Sequence, residues 1–127
     1  MPEQTSFDYA VIRVVPRVDR EEFINAGVIL FAREQKFLAA RVHLDDSRLA
    51  ELFPEVDQGE VLRHLEAIPK ICDGSPDAGP IGHLPQHERW HWLVSPRSTI
   101  IQVSPVHSGL SADPAATLEH LLRTLVQ

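Results

Sequence analysis

The first 44 residues alternate between apolar and polar positions in a way that predicts β-strands. Residues 7–15, 28–32 and 37–44 form three apolar runs, and the first is rich in β-branched and aromatic side chains before Pro16. In the third run, apolar and mixed positions occupy opposite faces, and a four-residue polar loop of hairpin length precedes it. The pattern predicts an antiparallel sheet with one side packed and the other partly wet.

Helical spacing begins after residue 44. Asp45 and Asp46 are candidate N-caps for a short helix that ends at Pro54. Asp57 and Glu60 have the spacing of an acidic capping box, and apolar residues follow at helical intervals. These features predict a second helix at residues 59–68. Residues 73–85 hold three Gly and three Pro, which predicts a mobile surface loop.

The C-terminal part predicts one more strand, at residues 99–104, and a terminal helix at residues 114–126. Asp113 is the expected N-cap, with Pro114 at the first helical position. A stripe of leucines at helical spacing predicts the buried side: Leu118, Leu121, Leu122 and Leu125. We therefore expect a single α+β domain over residues 1–127, with a mainly antiparallel sheet of about four strands and the helices on one face.

Composition and charge narrow the class of protein. The chain has 127 residues, 43% hydrophobic and 24% charged, as in an ordinary globular domain. It has no apolar run long enough to span a membrane, and its start lacks the order of a secretory signal. Cys72 is the single cysteine, so no internal disulfide is possible and a cytoplasmic location is expected. The net charge of −6 disfavours nucleic acid as a partner.

Three polar residues interrupt the apolar pattern of the first two strands: Arg13, Glu22 and Asn25. An arginine within an apolar strand must reach solvent or a partner, because an unpaired buried charge is costly. One interpretation is structural: Arg13 pairs with Glu22, with Asp8 or with backbone carbonyls, and Asn25 stabilises the turn before Gly27. The other is functional, an anion or partner site built from Arg13 and Asn25. Both stay open from the sequence.

A second polar group accompanies the last predicted strand: Arg97, Gln102 and His107. If this strand lies beside the first one, these side chains converge with Arg13 on one polar surface. We take that surface as the candidate binding site.

Residues 87–91 read HERWH and match the H-E-x-x-H pattern of zinc peptidases. In that reading His87 and His91 bind the metal and Glu88 acts as the base. Pro85 stands close before the pattern and a clear third ligand is missing, so we interpret the match as a coincidence and predict no metal or other cofactor. Trp90 and Trp92 point to different sides, which predicts one in the core and the other as an interface anchor.

Several separated positions together form a recognisable pattern: Arg13, Pro16, the run from Glu22 to Val28 with its Phe23, Asn25 and Gly27, and Trp92-Leu93, Arg97-Ser98 and residues 101–113. In this pattern the chain resembles a family of small bacterial proteins known as domain of unknown function 3037. It implies an uncharacterised bacterial protein. Genes of the family often neighbour genes for kinase-like proteins similar to toxin-type Ser/Thr kinases, which implies a kinase-like partner encoded nearby.

The leading hypothesis is a cytoplasmic, non-catalytic module that binds another protein and regulates it. The sequence offers no phosphate-binding glycine loop, no secure metal set and no credible catalytic triad, which argues against an enzyme. Two alternatives remain: a metal-assisted hydrolase that uses residues 87–91, and a nucleic-acid-associated factor of defence systems or mobile elements. The sequence leaves the oligomeric state open, a homo-oligomer included.

Overall fold

The computed structural model describes residues 3–17, 22–95 and 99–127. Its centre is an antiparallel sheet of five strands: β1 (Thr5–Arg17), β2 (Glu22–Ala32), β3 (Phe37–Val42), β4 (Ile101–Val103) and β5 (His107–Ser111). The strand order is β3-β2-β1-β4, and β5 also pairs with β1. With 13 residues, β1 is long enough to hold β5 and β4 in succession along one edge. The predicted α+β domain with an antiparallel sheet is confirmed.

Four α-helices accompany the sheet: α1 (Asp46–Leu52), α2 (Gln58–Asp73), α3 (Gln86–Val94) and α4 (Pro114–Leu125). The side chains of Asp45, Asp57 and Asp113 cap α1, α2 and α4, because they accept hydrogen bonds from the first turns of these helices. Asp46, the other candidate cap of α1, is instead the first residue of that helix. α2 continues through Pro69, five residues beyond its predicted end. The region predicted as a loop contains two short 3₁₀ helices, Pro76–Ala78 and Pro80–His83; its mobility stays a prediction.

The helices cover both faces of the sheet, whereas the sequence predicted one covered face. α1, α2 and α3 pack on the face that carries Ile12, Val14, Ile29 and Phe31. Leu118 of α4 packs on the opposite face, with Phe7, Val28, Leu30 and Ala32. The reason lies in β2, where residues 28–32 are apolar without alternation. A strand that is apolar on both sides needs cover on both sides. We call these two sides the α2 face and the α4 face.

A β-bulge sets which residues of β2 point to which face. Ile12 pairs with Gly27 and Arg13 with Asn25, so Ala26 is an extra residue. Ile24 and Ala26 therefore share the α2 face with Ile29. Gly27 is required because a Cβ there would lie 2.6 Å from the carbonyl oxygen of Arg41. β2 thus begins six residues before the predicted strand.

The terminal helix shows the predicted leucine stripe, with Leu118 and Leu122 buried and Leu121 and Leu125 partly buried. Strand β5 was not predicted, since His107–Ser111 is short, polar and lacks alternation. Within the described ranges, none of the helices combines the length and the apolar character that a membrane span requires.

Candidate functional site

Strand pairing places three of the predicted site residues side by side. Arg13 lies in β1, and its direct partners are Asn25 in β2 and Gln102 in β4. Directly paired residues of antiparallel strands point to the same face. Arg13, Asn25 and Gln102 therefore form one row across the α4 face that spans β2, β1 and β4. We call this row the Arg13 row.

Arg13 is partly buried and rests on an aromatic ring. Its Cζ atom lies 4.1 Å from the centroid of the Phe23 ring, a cation–π geometry. Its Nε atom is buried without a hydrogen-bond partner, and the ion pairs found among the described residues do not include Arg13. The predicted ion pairs with Glu22 and Asp8 are therefore wrong.

Strand alternation explains why those carboxylates cannot reach Arg13. Glu22 lies two residues before Ile24, on the α2 face, where it lines a cavity of about 430 Å³ with Leu52 and Phe53. Asp8 also points to the α2 face and accepts a hydrogen bond of 2.5 Å from Ser108 Oγ. Sequence proximity suggested a pairing that the two faces of the sheet prevent.

Asn25 joins the sheet to the end of α4. Its Nδ2 atom donates to the carbonyl oxygen of Leu125 at 3.1 Å, which satisfies one of the last free carbonyls of that helix. Its Oδ1 atom is buried, and the described residues supply no hydrogen-bond donor to it. The Asn25 amide therefore stabilises the end of α4, whereas the predicted structural role was in the turn before Gly27. Gln102 donates from Nε2 to the Thr99 carbonyl oxygen at 3.0 Å.

His107 shares the α4 face but lies apart from the Arg13 row. It pairs with Tyr9, and the two ring centroids are 5.3 Å apart. Tyr9 and Arg13 are four residues apart in β1, a separation of about 13 Å along a strand. Arg97 lies outside the described residues. Among the described residues of the predicted surface, Arg13 and Gln102 lie side by side and His107 lies apart, while Asn25 of the other predicted polar group joins Arg13 and Gln102.

Residues 87–91 lie on α3, for which Pro85 is the N-cap and not an interruption. His87, Glu88 and His91 are exposed, while Trp90 is buried. In the parts of the chain that the structure describes, no three His, Cys, Asp or Glu side chains are grouped so that they could hold a metal ion.

Arg89, inside the same segment, has a clear structural role. Its guanidinium donates to the carbonyl oxygens of Leu84 at 2.9 Å, Ile71 at 3.0 Å and Cys72 at 2.5 Å. The last two belong to the end of α2, where Gly74 with φ of 68° terminates the helix. Arg89 therefore fastens α3 to the C-terminal end of α2, and sequence reasoning missed this role.

Cys72 is buried beside this junction. Burial and, to a smaller extent, the neighbouring Asp73 carboxylate raise the pKa of its thiol to about 12. The thiol is therefore protonated at neutral pH and does not act as a nucleophile there.

The two tryptophans separate as predicted, one inside and one at the surface. Trp90 is 4% exposed and packs on Phe31, with ring centroids 5.6 Å apart. Trp92 is 37% exposed. It borders a largely apolar groove of about 460 Å³, which also includes His64, Ala67, Ile68, Ile71, Thr99, Ile100 and Ile101. We call this the Trp92 groove. Of its lining residues, Trp92 was the one that the sequence indicated as a candidate interface residue.

Comparison with known proteins identifies the family. Neither the curated proteins nor the solved structures contain a match to this chain. The sequence profile of a family described as "Protein of unknown function (DUF3037)" matches residues 9–126, nearly the whole chain. The match includes β1 from Tyr9 onward and every later element. The chain therefore belongs to the DUF3037 family.

Proposed function

We propose that this protein is a non-catalytic module that binds another protein through the Trp92 groove. The observation that carries the proposal is the exposure of Trp92 at the edge of an apolar groove between α2, α3 and β4. Tryptophan is enriched among residues that dominate the free energy of protein association. Isoleucine side chains line the groove beside it, which suits the burial of an aliphatic side chain of a partner.

The charge of the chain supports a particular partner chemistry. The net charge of −6 favours association with a surface that is basic, since complementary charge raises the association rate. The expected partner therefore presents an aliphatic residue within basic surroundings. A kinase-like protein encoded nearby, which the family resemblance implies, is our proposed class of partner, and regulation of that protein is the proposed role.

The experiment compares three versions of the full chain: the natural sequence, Trp92→Ala and Leu62→Ala. Leu62 is a matched control because it is 40% exposed on α2 but does not line the groove. The protein captured by the natural sequence from its host is purified, and its Kd for each version is measured by calorimetry. We expect Trp92→Ala to weaken binding by about 30-fold, corresponding to about 2 kcal/mol, and Leu62→Ala to change it by less than about threefold.

Thermal unfolding of each variant, followed by circular dichroism, checks that the fold is intact. A partner that binds the Trp92→Ala variant as tightly as the natural chain would contradict the proposal. So would a chain that captures no stoichiometric partner under conditions where it is folded.

A further inference from the structure

The Arg13 row contains a charged side chain for which the described residues supply no hydrogen-bond or ion-pair partner. The guanidinium of Arg13 contacts Phe23, yet its Nε atom is buried and unpaired. The terminal Nη atoms are not among the buried unpaired atoms, so they keep contact with solvent. Burying part of an unpaired cation opposes folding. A ligand that pairs with the Arg13 guanidinium would offset this cost.

The contact with Phe23 limits the directions from which a ligand can approach the Arg13 guanidinium. The guanidinium Cζ atom lies 4.1 Å from the centroid of the Phe23 ring, and Phe23 is 44% exposed. A guanidinium supported in this way presents parallel N–H groups that match the two oxygens of a carboxylate. The exposed part of the Phe23 ring lies beside them and suits an apolar neighbour of that carboxylate.

We propose that Arg13 anchors a binding site for one carboxylate, carried by an Asp or Glu side chain of a polypeptide that also packs an apolar residue on Phe23. A carboxylate is favoured over a phosphate for two reasons. Among the described side chains the row offers one cation, its backbone amides serve the sheet, and the net charge of −6 repels a dianion more strongly than a monoanion.

A polypeptide is favoured over a small acid because Arg13 is only partly buried and Phe23 is 44% exposed on this part of the α4 face. The two cavities described above, lined by Glu22 and by Trp92, are on the other side of the sheet and do not enclose Arg13. A flat site gains affinity when a large partner excludes water from the charged contact. This inference does not depend on the Trp92 groove, and failure of either proposal leaves the other intact.

The test is an NMR titration of the full chain that follows the Nε–H signal of Arg13 and the amide signals of Phe23 and Gln102. The probe is leucyl-glutamyl-leucine with both termini blocked, and the matched probe has glutamine in place of glutamate. We expect saturable shifts in the millimolar range with the glutamate probe, a loss of at least about tenfold in affinity with the glutamine probe, and weakening by added salt.

Three variants complete the test. Arg13→Met should reduce binding by at least about tenfold, and Arg13→Lys, which keeps the charge but not the two parallel donors, by a smaller factor. Arg41→Met is the control, since it removes one cation that already pairs with Glu119 on the same side of the sheet. It should bind as the natural chain does, and so should Trp92→Ala.

Several results would overturn the inference. They are an absence of saturable shifts, equal binding of the two peptides, or unchanged binding by Arg13→Met. Equal affinity for acetate would overturn the assignment to a polypeptide, and tighter binding of inorganic phosphate would overturn the assignment to a carboxylate. A fall in Tm of more than about 8 °C for Arg13→Met would show that Arg13 serves the fold and would also overturn it; we expect the Tm to stay constant or rise.

Discussion

Two arginines show how differently the same side chain is used at the scale of one residue. Both Arg13 and Arg89 are partly buried. Arg89 donates three hydrogen bonds to carbonyl oxygens, whereas Arg13 has a ring contact and an unpaired Nε. Hydrogen bonds from a charged group stabilise a fold by about 1.5–3 kcal/mol each. Arg89 therefore stabilises the packing of α3 on α2. Arg13 is the residue for which we propose a ligand.

The first prediction concerns the thiol of Cys72, which is 2% exposed and has a pKa of about 12 against an ordinary value of 9.0. In the native protein at pH 8 we expect almost no reaction with a disulfide reagent such as DTNB, and one reactive thiol per chain in denaturant. The physical reason is that the thiolate, which is the reactive form, is disfavoured by burial. Rapid labelling of the native protein would contradict the buried position.

The same pKa shift predicts a loss of stability in alkali. The unfolded thiol ionises above pH 9 while the folded one does not, so stability from this group is complete below pH 9 and declines between pH 9 and pH 12. The loss should be about 1 kcal/mol at pH 10. Urea unfolding of the natural chain and of Cys72→Val at pH 7 and pH 10 measures it, because the valine variant lacks this group and should lose less.

At the scale of one element, α3 combines a zinc-peptidase pattern with a packing role. Its buried side holds Trp90 and Leu93, and Arg89 joins it to α2. His87, Glu88 and His91 remain on the outside. The pattern of residues 87–91 is thus fully compatible with a helix that packs on α2, without any metal.

We predict that untagged purified protein contains far less than one zinc per chain, as measured by elemental analysis. His87→Ala should leave the free energy of unfolding within about 0.5 kcal/mol of the natural value, since the side chain is exposed. Arg89→Ala is the control in the same helix and should cost about 2–4 kcal/mol through its lost hydrogen bonds. One zinc per chain, lost in His87→Ala, would support the hydrolase alternative instead.

At the scale of the whole molecule, one sheet separates two apolar cores. The larger lies on the α2 face and the smaller under α4, and β2 contributes alternate residues to both. The net charge is −6, and the middle third of the chain is strongly acidic. The two faces therefore offer two separate surfaces, the Trp92 groove on one and the Arg13 row on the other.

The two-core arrangement predicts additive effects of mutations on stability. Leu122→Ala on α4 should cost about 2–5 kcal/mol and Ile71→Val on α2 about 0.5–1.5 kcal/mol, because Leu122 is 2% and Ile71 7% exposed. Chemical unfolding of the double variant should give the sum within about 0.5 kcal/mol, since the sheet keeps the sites apart. His120→Ala, exposed on α4, is the control with little effect. A coupling above about 1 kcal/mol would mean that the cores are not independent.

The sequence by itself determined the features that depend on neighbouring residues. The strands at residues 7–15 and 37–44, the aspartate caps of α1, α2 and α4, and the leucine stripe of α4 follow from periodicity and short-range hydrogen bonding, which act over a few positions. Only the tertiary structure decided features that depend on which face a side chain occupies. The bulge at Ala26, the separation of Arg13 from Glu22, the strand β5 and the place of α4 opposite α2 depend on pairing between distant segments, and a single residue of register exchanges the two faces of a strand.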